Sequence, residues 1–194
     1  MGFLSILSFA HKLIQERVAP GETVVDATAG NGVDTVFLAK CVGAAGSVHV
    51  FDIQEHALEQ TRRRLAKELT GPAPVHFHLC SHAMLKTQLP ESAHGQVGAV
   101  MFNLGYLPGA DESTITTPES TLPALDSALE LLRQGGILTI ALYTGHEGGE
   151  HEAAAVQLWA QQLPQQQFQA LEYRFINRDN HPPYLIAVEK KRLH

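Results

Sequence analysis

Apolar residues at Leu4, Leu7, Ala10, Leu13, Ile14 and Val18 recur every three or four positions, which predicts an amphipathic helix over 3–17, closed by Pro20 and Gly21. From there the period shortens and lengthens by turns. Thr23–Asp26 reads as a strand, 33–41 as a helix, 47–51 as a second strand and 54–69 as a long helix ended by Gly71, Pro72 and Pro74. A third strand is expected at 75–80, a short helix or loop at 81–86 and a fourth strand at 96–103. After a polar loop over 105–118, helical spacing returns at 118–133, with Leu122, Leu125, Ala128, Leu129 and Leu132 on one stripe and Gly135-Gly136 as its stop. A fifth strand at 137–143, a loop at 145–152 and a helix at 153–162 follow, and two strands at 168–175 and 184–189 close the chain. Alternating strands and helices predict an α/β, doubly wound, mostly parallel sheet, and two final strands joined without a helix predict antiparallel pairing at one edge.

The pattern breaks most sharply at 24–32, VVDATAGNG. Here a buried strand ends in Asp26 and runs into Gly30, Asn31 and Gly32, which allow a tight turn and close approach of a ligand to the backbone. The helix beyond offers its free N–H groups at that turn. About twenty residues on, SVHVF ends in Asp52, the spacing at which an acid reaches ribose hydroxyls in nucleotide-binding βαβ units. A strand-end Asp can equally cap a helix, and glycines after a strand can simply turn the chain. D-x-T-x-G-N-G differs from the pyrophosphate cradle G-x-G-x-x-G. Its acid and hydroxyl suit a ligand that carries an ammonium, as S-adenosylmethionine does.

Composition narrows the setting. The 194 residues, 44% hydrophobic, suffice for one domain spanning 1–194, and the longest apolar runs fall short of the roughly 20 residues of a membrane span. Residues 1–10 lack a cleavage pattern for a secretory signal, and Cys41 and Cys80 read as buried thiols of a reducing compartment, so a cytoplasmic protein with no membrane contact is expected. The net charge of -6 argues against a strongly basic nucleic-acid binder. Arg62, Arg63, Arg64 and Lys67 nevertheless form one basic cluster, either a solvated helix face or a patch that a homodimer would pool.

In DATAGNG and the later FNLGYLPG the chain resembles class I methyltransferases, and within them a branch of rRNA methylases, from about Leu13 onward. Characterised members of that branch are similar to a tRNA methyltransferase acting on the aminomethyl group of 5-aminomethyl-2-thiouridine at the wobble position. The resemblance implies a seven-stranded Rossmann-like methyltransferase sheet, S-adenosylmethionine as cofactor and the anticodon arm of tRNA as partner. Carried over residue by residue, Asp26 and Gly30 hold the methionine moiety, Asp52 accepts from the ribose, and Ile53 and Gln54 flank the adenine. Ser81 and His82 stand at the adenine amino edge, where many methyltransferases have an acid; Thr28, Asn31, Gly32, Asp34 and Thr35 complete the cofactor set with Asn103.

Asn103 to Pro108 lies where amino-group methyltransferases carry Asn or Asp, Pro-Pro and an aromatic; Gly105 and Tyr106 depart from that wording. The Asn103 carbonyl would aim a primary amine in line with the methyl donor, alignment being most of what this reaction needs. Tyr106 serves there as a catalytic and substrate contact, or merely packs on the core. An ammonium must lose a proton before it attacks, so a base is sought among His146, Glu147, Glu150, His151 and His181, with His146 and His181 the catalytic candidates. Gly105, Tyr106, Glu147, Asn177 and Tyr184 are expected to shape the substrate pocket. No metal is expected, because the second histidine of H-E-x-x-E-H falls one position late for an i, i+4 pair. Methylation of an rRNA base or a small metabolite, or a non-catalytic module retaining the pocket, are the alternatives.

Overall fold

The computed structural model describes residues 2–71, 73–105, 116–145, 147–179 and 182–192. Helix α1 (Ile6–Gln15) starts later than its apolar stripe suggests, because Ser5 caps it, its Oγ accepting from the Ser8 amide at 3.2 Å. Leu4 therefore lies outside the helix, 42% exposed. β1 (Thr23–Asp26), α2 (Val33–Val42), β2 (Ser47–Asp52), α3 (Glu55–Glu68) and β3 (Val75–Leu79) follow closely as the pattern predicts. A 3-10 turn at His82–Met84, the short α4 (Leu85–Gln88) and a second 3-10 turn at Glu91–Ala93 lead to β4 (Val97–Leu104). The rest is α5 (Pro118–Leu131), β5 (Leu132–Leu142), α6 (Gly149–Gln161), β6 (Phe168–Tyr173) and β7 (Tyr184–Lys190).

Two boundaries differ from the expectation. The chain leaves α5 at Leu131, four residues before the glycine pair, and Gly135 and Gly136 lie instead inside a β5 irregularity. There the pairing register jumps from Val97↔Leu132 to Ala99↔Ile137, and a Cβ on Gly136 would sit 2.9 Å from the Arg133 carbonyl. Helix α6 begins at Gly149 rather than 153, so Glu150, His151 and Glu152 belong to its first turn and not to a loop. Acidic residues are favoured there by the positive end of the helix.

The sheet runs β3-β2-β1-β4-β5-β7-β6. β1 to β5 pair in parallel, while β7 is antiparallel to both β5 and β6, so the reversed strand lies one in from the border. Side chains alternate between two apolar layers. Val24, Val48 and Ala99 pack with Ile14, Leu38 and Leu58 from α1, α2 and α3 on one face. Val25, Val100 and Leu138 pack with Leu85, Leu125 and Val156 from α4, α5 and α6 on the other. The strand order reverses between β1 and β4, and a crevice opens beyond the carboxyl ends of the strands at such a switch. No helix among the described residues is long and apolar enough to cross a membrane, and Cys41 and Cys80 are both free thiols.

Candidate active site

At that switch lies a cavity of about 360 Å³, lined from α1 by Leu7, from the first turn by residues 27–31 with Val33 and Asp34, and from β2 by Asp52, Ile53 and Gln54. Cys80, Ser81, His82, Asn103, Gly105, Thr116, Ser120 and Tyr143 also line it. Gly30 (φ 52°) and Gly32 (φ 77°) both take the left-handed backbone that glycine tolerates best. Gly32 does not line the cavity. Its task is packing, since a Cβ there would meet the Thr61 Cα of α3 at 2.8 Å.

The two strand-end acids have different fates. Asp26 is fully buried beneath the turn, its carboxylate accepting from the Thr28 amide (3.2 Å) and the Thr35 hydroxyl (2.5 Å). Asp26 and Thr35 therefore correct the sequence reading: they hold the turn from below and line no part of the cavity. Burial first, and then the charge of Asp34, push the Asp26 carboxyl up to about 7. Asp52 does line the cavity, accepting from the Gly30 amide (3.1 Å) and the Gln54 amide (2.9 Å), so one carboxylate ties the glycine turn to the end of β2. Burial raises Asp52 above the usual carboxylate range, with these amides opposing the shift.

Beside the turn, Asp34 makes two charge-assisted bonds. His11 Nε2 lies 2.6 Å from its Oδ1, and the Asn103 side-chain amide donates to its Oδ2 at 2.6 Å. The Asn103 backbone amide donates to Thr28 Oγ1 at 2.7 Å, so residues from α1, the first turn, α2 and β4 meet at one point. With its NH₂ given to Asp34, Asn103 keeps a carbonyl oxygen with which to accept. On the opposite side Ile53 is 56% exposed, forming an apolar wall at the mouth, and Ser81 Oγ accepts from the Ala83 amide, holding the turn that carries His82. His82 is 8% exposed, its Nε2 has no partner among the described residues, and burial pushes its imidazole down to about 4. The ring is neutral at physiological pH and sits edge-on to Phe102.

A turn of backbone amides, a carboxylate at the end of β2, an apolar wall at Ile53 and a volume of about 360 Å³ fit an adenosyl ligand. The family model described as "Putative rRNA methylase" matches residues 48–189. The chain belongs to that family. It is 36% identical over 190 residues to the chloroplastic tRNA (mnm(5)s(2)U34)-methyltransferase of Arabidopsis thaliana, an alignment covering 94% of this chain and 68% of that one. A solved "putative rRNA-methylase" from Clostridium thermocellum shares 40% identity at a TM-score of 0.91, over 98% of this chain and 100% of that one. SMU.1697c, a "putative methyltransferase" from Streptococcus mutans solved in complex with SAH, shares 35% identity at a TM-score of 0.87, over 97% and 99%. The chain is an S-adenosylmethionine-dependent methyltransferase.

In this methyltransferase the loop after β4 is pinned at its base. Gly105 and Thr116 exchange two bonds, Gly105 N to Thr116 Oγ1 (3.0 Å) and Thr116 N to Gly105 O (3.2 Å). Buried Glu152 of α6 then accepts from Thr116 and Thr121, each at 2.6 Å. Gly105 thus stands at the cavity as expected, whereas Tyr106, His146 and His181 lie outside the described residues. Tyr184 is not brought to the cavity: it is a core residue, 5% exposed, with the Arg174 guanidinium 3.7 Å above its ring. Asn177 and Glu147 are exposed and line no part of it, nor do Glu150 and His151 on the outer face of α6. Among the basic cluster, Arg63 pairs with Glu59, Arg64 with Glu68, and Arg62 lies over the Phe77 ring, so acids one helical turn away mute two of the cluster's four charges. As site residues, His11, Leu7, Thr116, Ser120 and Tyr143 are not marked by the sequence, since none belongs to a local motif.

Proposed function

We propose that this methyltransferase acts on the aminomethyl nitrogen of 5-aminomethyl-2-thiouridine at the wobble position of tRNA, with Asn103 orienting the amine. The observation that carries this reading is the pairing of Asn103 with Asp34 at the cavity wall. A carbonyl and a carboxylate side by side are acceptors for a primary ammonium. They offer no partner to a ring nitrogen that carries no hydrogen. The identity to a tRNA wobble-uridine methyltransferase across nearly the whole chain supports the same substrate. When bound, S-adenosylmethionine supplies an electrophilic methyl group on sulfur. The protein's own work is to hold the nucleophile in line at about 3 Å and keep water out. RNA readers commonly take an unstacked base from a loop, as the anticodon presents it.

The test is methyl incorporation, followed by mass analysis of the nucleosides, into tRNA carrying the free aminomethyl group and into tRNA in which that amine is absent or already methylated. Incorporation into the first alone is expected. Equal incorporation into all three points instead to an rRNA base or another acceptor. On the donor side, Asp52→Ala should weaken S-adenosylmethionine binding by about 1–3 kcal/mol, from lost bonds to the ribose and a loosened glycine turn. Titration calorimetry reads this directly. An unchanged affinity removes Asp52 from the site.

A further inference from the structure

The acids and histidines that the sequence offers as bases lie away from the cavity or outside the described residues, yet an ammonium cannot attack until a proton leaves it. Among the described residues, two carboxylates face the cavity. Asp52 accepts from Gly30 and Gln54 at the end of β2, on the side of the pocket opposite Asn103. Asp34 stands beside Asn103, 6% exposed, in the first turn of α2 where the helix dipole favours its charge. Each of its oxygens receives one side-chain donor, and each retains a second lone pair for a ligand. The His11 ring is itself fixed, stacked on Phe37 at 3.8 Å with 6° between planes.

We propose that Asp34 grips the substrate's primary ammonium and takes its proton, and that His11 is the positioning residue which aims that carboxylate. The inference rests on the amine reading above. One N–H bond breaks, an O–H bond forms on Asp34, and the electron pair stays on nitrogen as the nucleophile's lone pair. The proton is lost to water after the product departs. In bulk water an ammonium does not surrender a proton to a carboxylate, but taking both ions out of water favours the neutral pair. The groups facing Asp34 are His11 from α1, Asn103 from β4, buried Asp26 from β1 below it and Tyr143 at the end of β5, whose hydroxyl burial and the Asp34 charge hold above its ordinary range. Of these, Asp34, Asn103 and Tyr143 line the cavity, and Asp34 is the carboxylate among them. His11 does not line the cavity. Its role is exerted through the carboxylate.

The experiment uses the full chain and an anticodon stem-loop bearing the aminomethyl-thiouridine, with Asp34→Asn, His11→Phe and His11→Gln beside wild type. Without methyl donor, Asp34→Asn should bind the amine-bearing RNA about tenfold more weakly while binding RNA without the amine as wild type does. In single turnover it should be slower by about 100-fold near neutral pH. Its rate should then climb about tenfold per pH unit up to about pH 9, because only amine already neutral in solution can react, whereas wild type varies far less. His11→Phe keeps the stack on Phe37 but loses the N–H donor, so its rate should fall. His11→Gln restores a donor and should recover most of the loss, which a purely structural role for the ring would not allow. Affinity for S-adenosylmethionine should stay within about threefold in both His11 variants, and in Asp34→Asn it should fall far less than the rate does. A pH slope shared by wild type and Asp34→Asn overturns the proposal, as does loss of donor affinity in step with rate, which would make Asp34 a ligand of the donor. Equal rates in the two His11 variants remove the positioning role. A wild type inactive on the amine-bearing RNA overturns the substrate reading and this inference with it; an active wild type with an unshifted Asp34→Asn slope overturns this inference alone.

Discussion

Asp26→Asn should raise the unfolding free energy by about 2–4 kcal/mol at pH 8 and leave it nearly unchanged below about pH 4. The reason is the burial of Asp26 beside Asp34, which lifts its carboxyl from 3.8 to about 7. Between those values the folded state holds a proton that the unfolded chain has released. Stability from this group therefore declines as pH rises through the interval, and above pH 7 the fold carries a buried, repelled charge. Asparagine removes the charge and keeps the connections: its oxygen accepts from the Thr28 amide, and its NH₂ donates to the Thr35 hydroxyl, which can accept as well as donate. Urea unfolding of both proteins at a series of pH values isolates this group from the others. Parallel curves would contradict the shift.

Asn103→Ala should lower single-turnover methylation by about 100-fold, the scale of a misplaced nucleophile, with donor affinity changed by no more than about threefold. Alanine removes the acceptor for the amine and also frees the Asp34 oxygen that Asn103 holds at 2.6 Å. Combining it with Asp34→Asn should accordingly cost much less than the sum of the two, since residues in direct contact do not act independently. Rate measurements on the two single variants and the double variant give that coupling. If donor affinity instead falls in step with the rate, Asn103 binds the donor, and orientation of the amine belongs to another group.

Both effects depend on contacts across the chain, and that marks the limit of what the sequence determined. Local spacing was enough to foresee nearly every strand and helix, the doubly wound sheet, the turn at Gly30 and the acid at Asp52, because periodicity reports burial and glycine reports backbone conformation. The same signals misjudged the start of α6, where the polar residues Glu150, His151 and Glu152 look like loop but occupy a helix's first turn, with Glu152 buried on two threonine hydroxyls. Reading 177–184 as a pocket loop likewise placed Tyr184 at the substrate, although strand pairing with β5 turns it into the core.

What only the tertiary structure decided is which polar side chains meet. His11 and Asp34 are 23 positions apart, and Asp34 and Asn103 69 apart. Nothing in the spacing of these residues announces the cluster. It arises because the parallel order sets β4 against β1 while α1 and α2 pack on one face of the sheet, so their polar ends converge at the switch point. The same crossing seals Asp26 beneath the turn and leaves Asp34 facing the cavity. A strand-end acid in the sequence carries its charge and its approximate place; burial and partners, which fix whether it binds, titrates or braces, follow from the packing of distant elements.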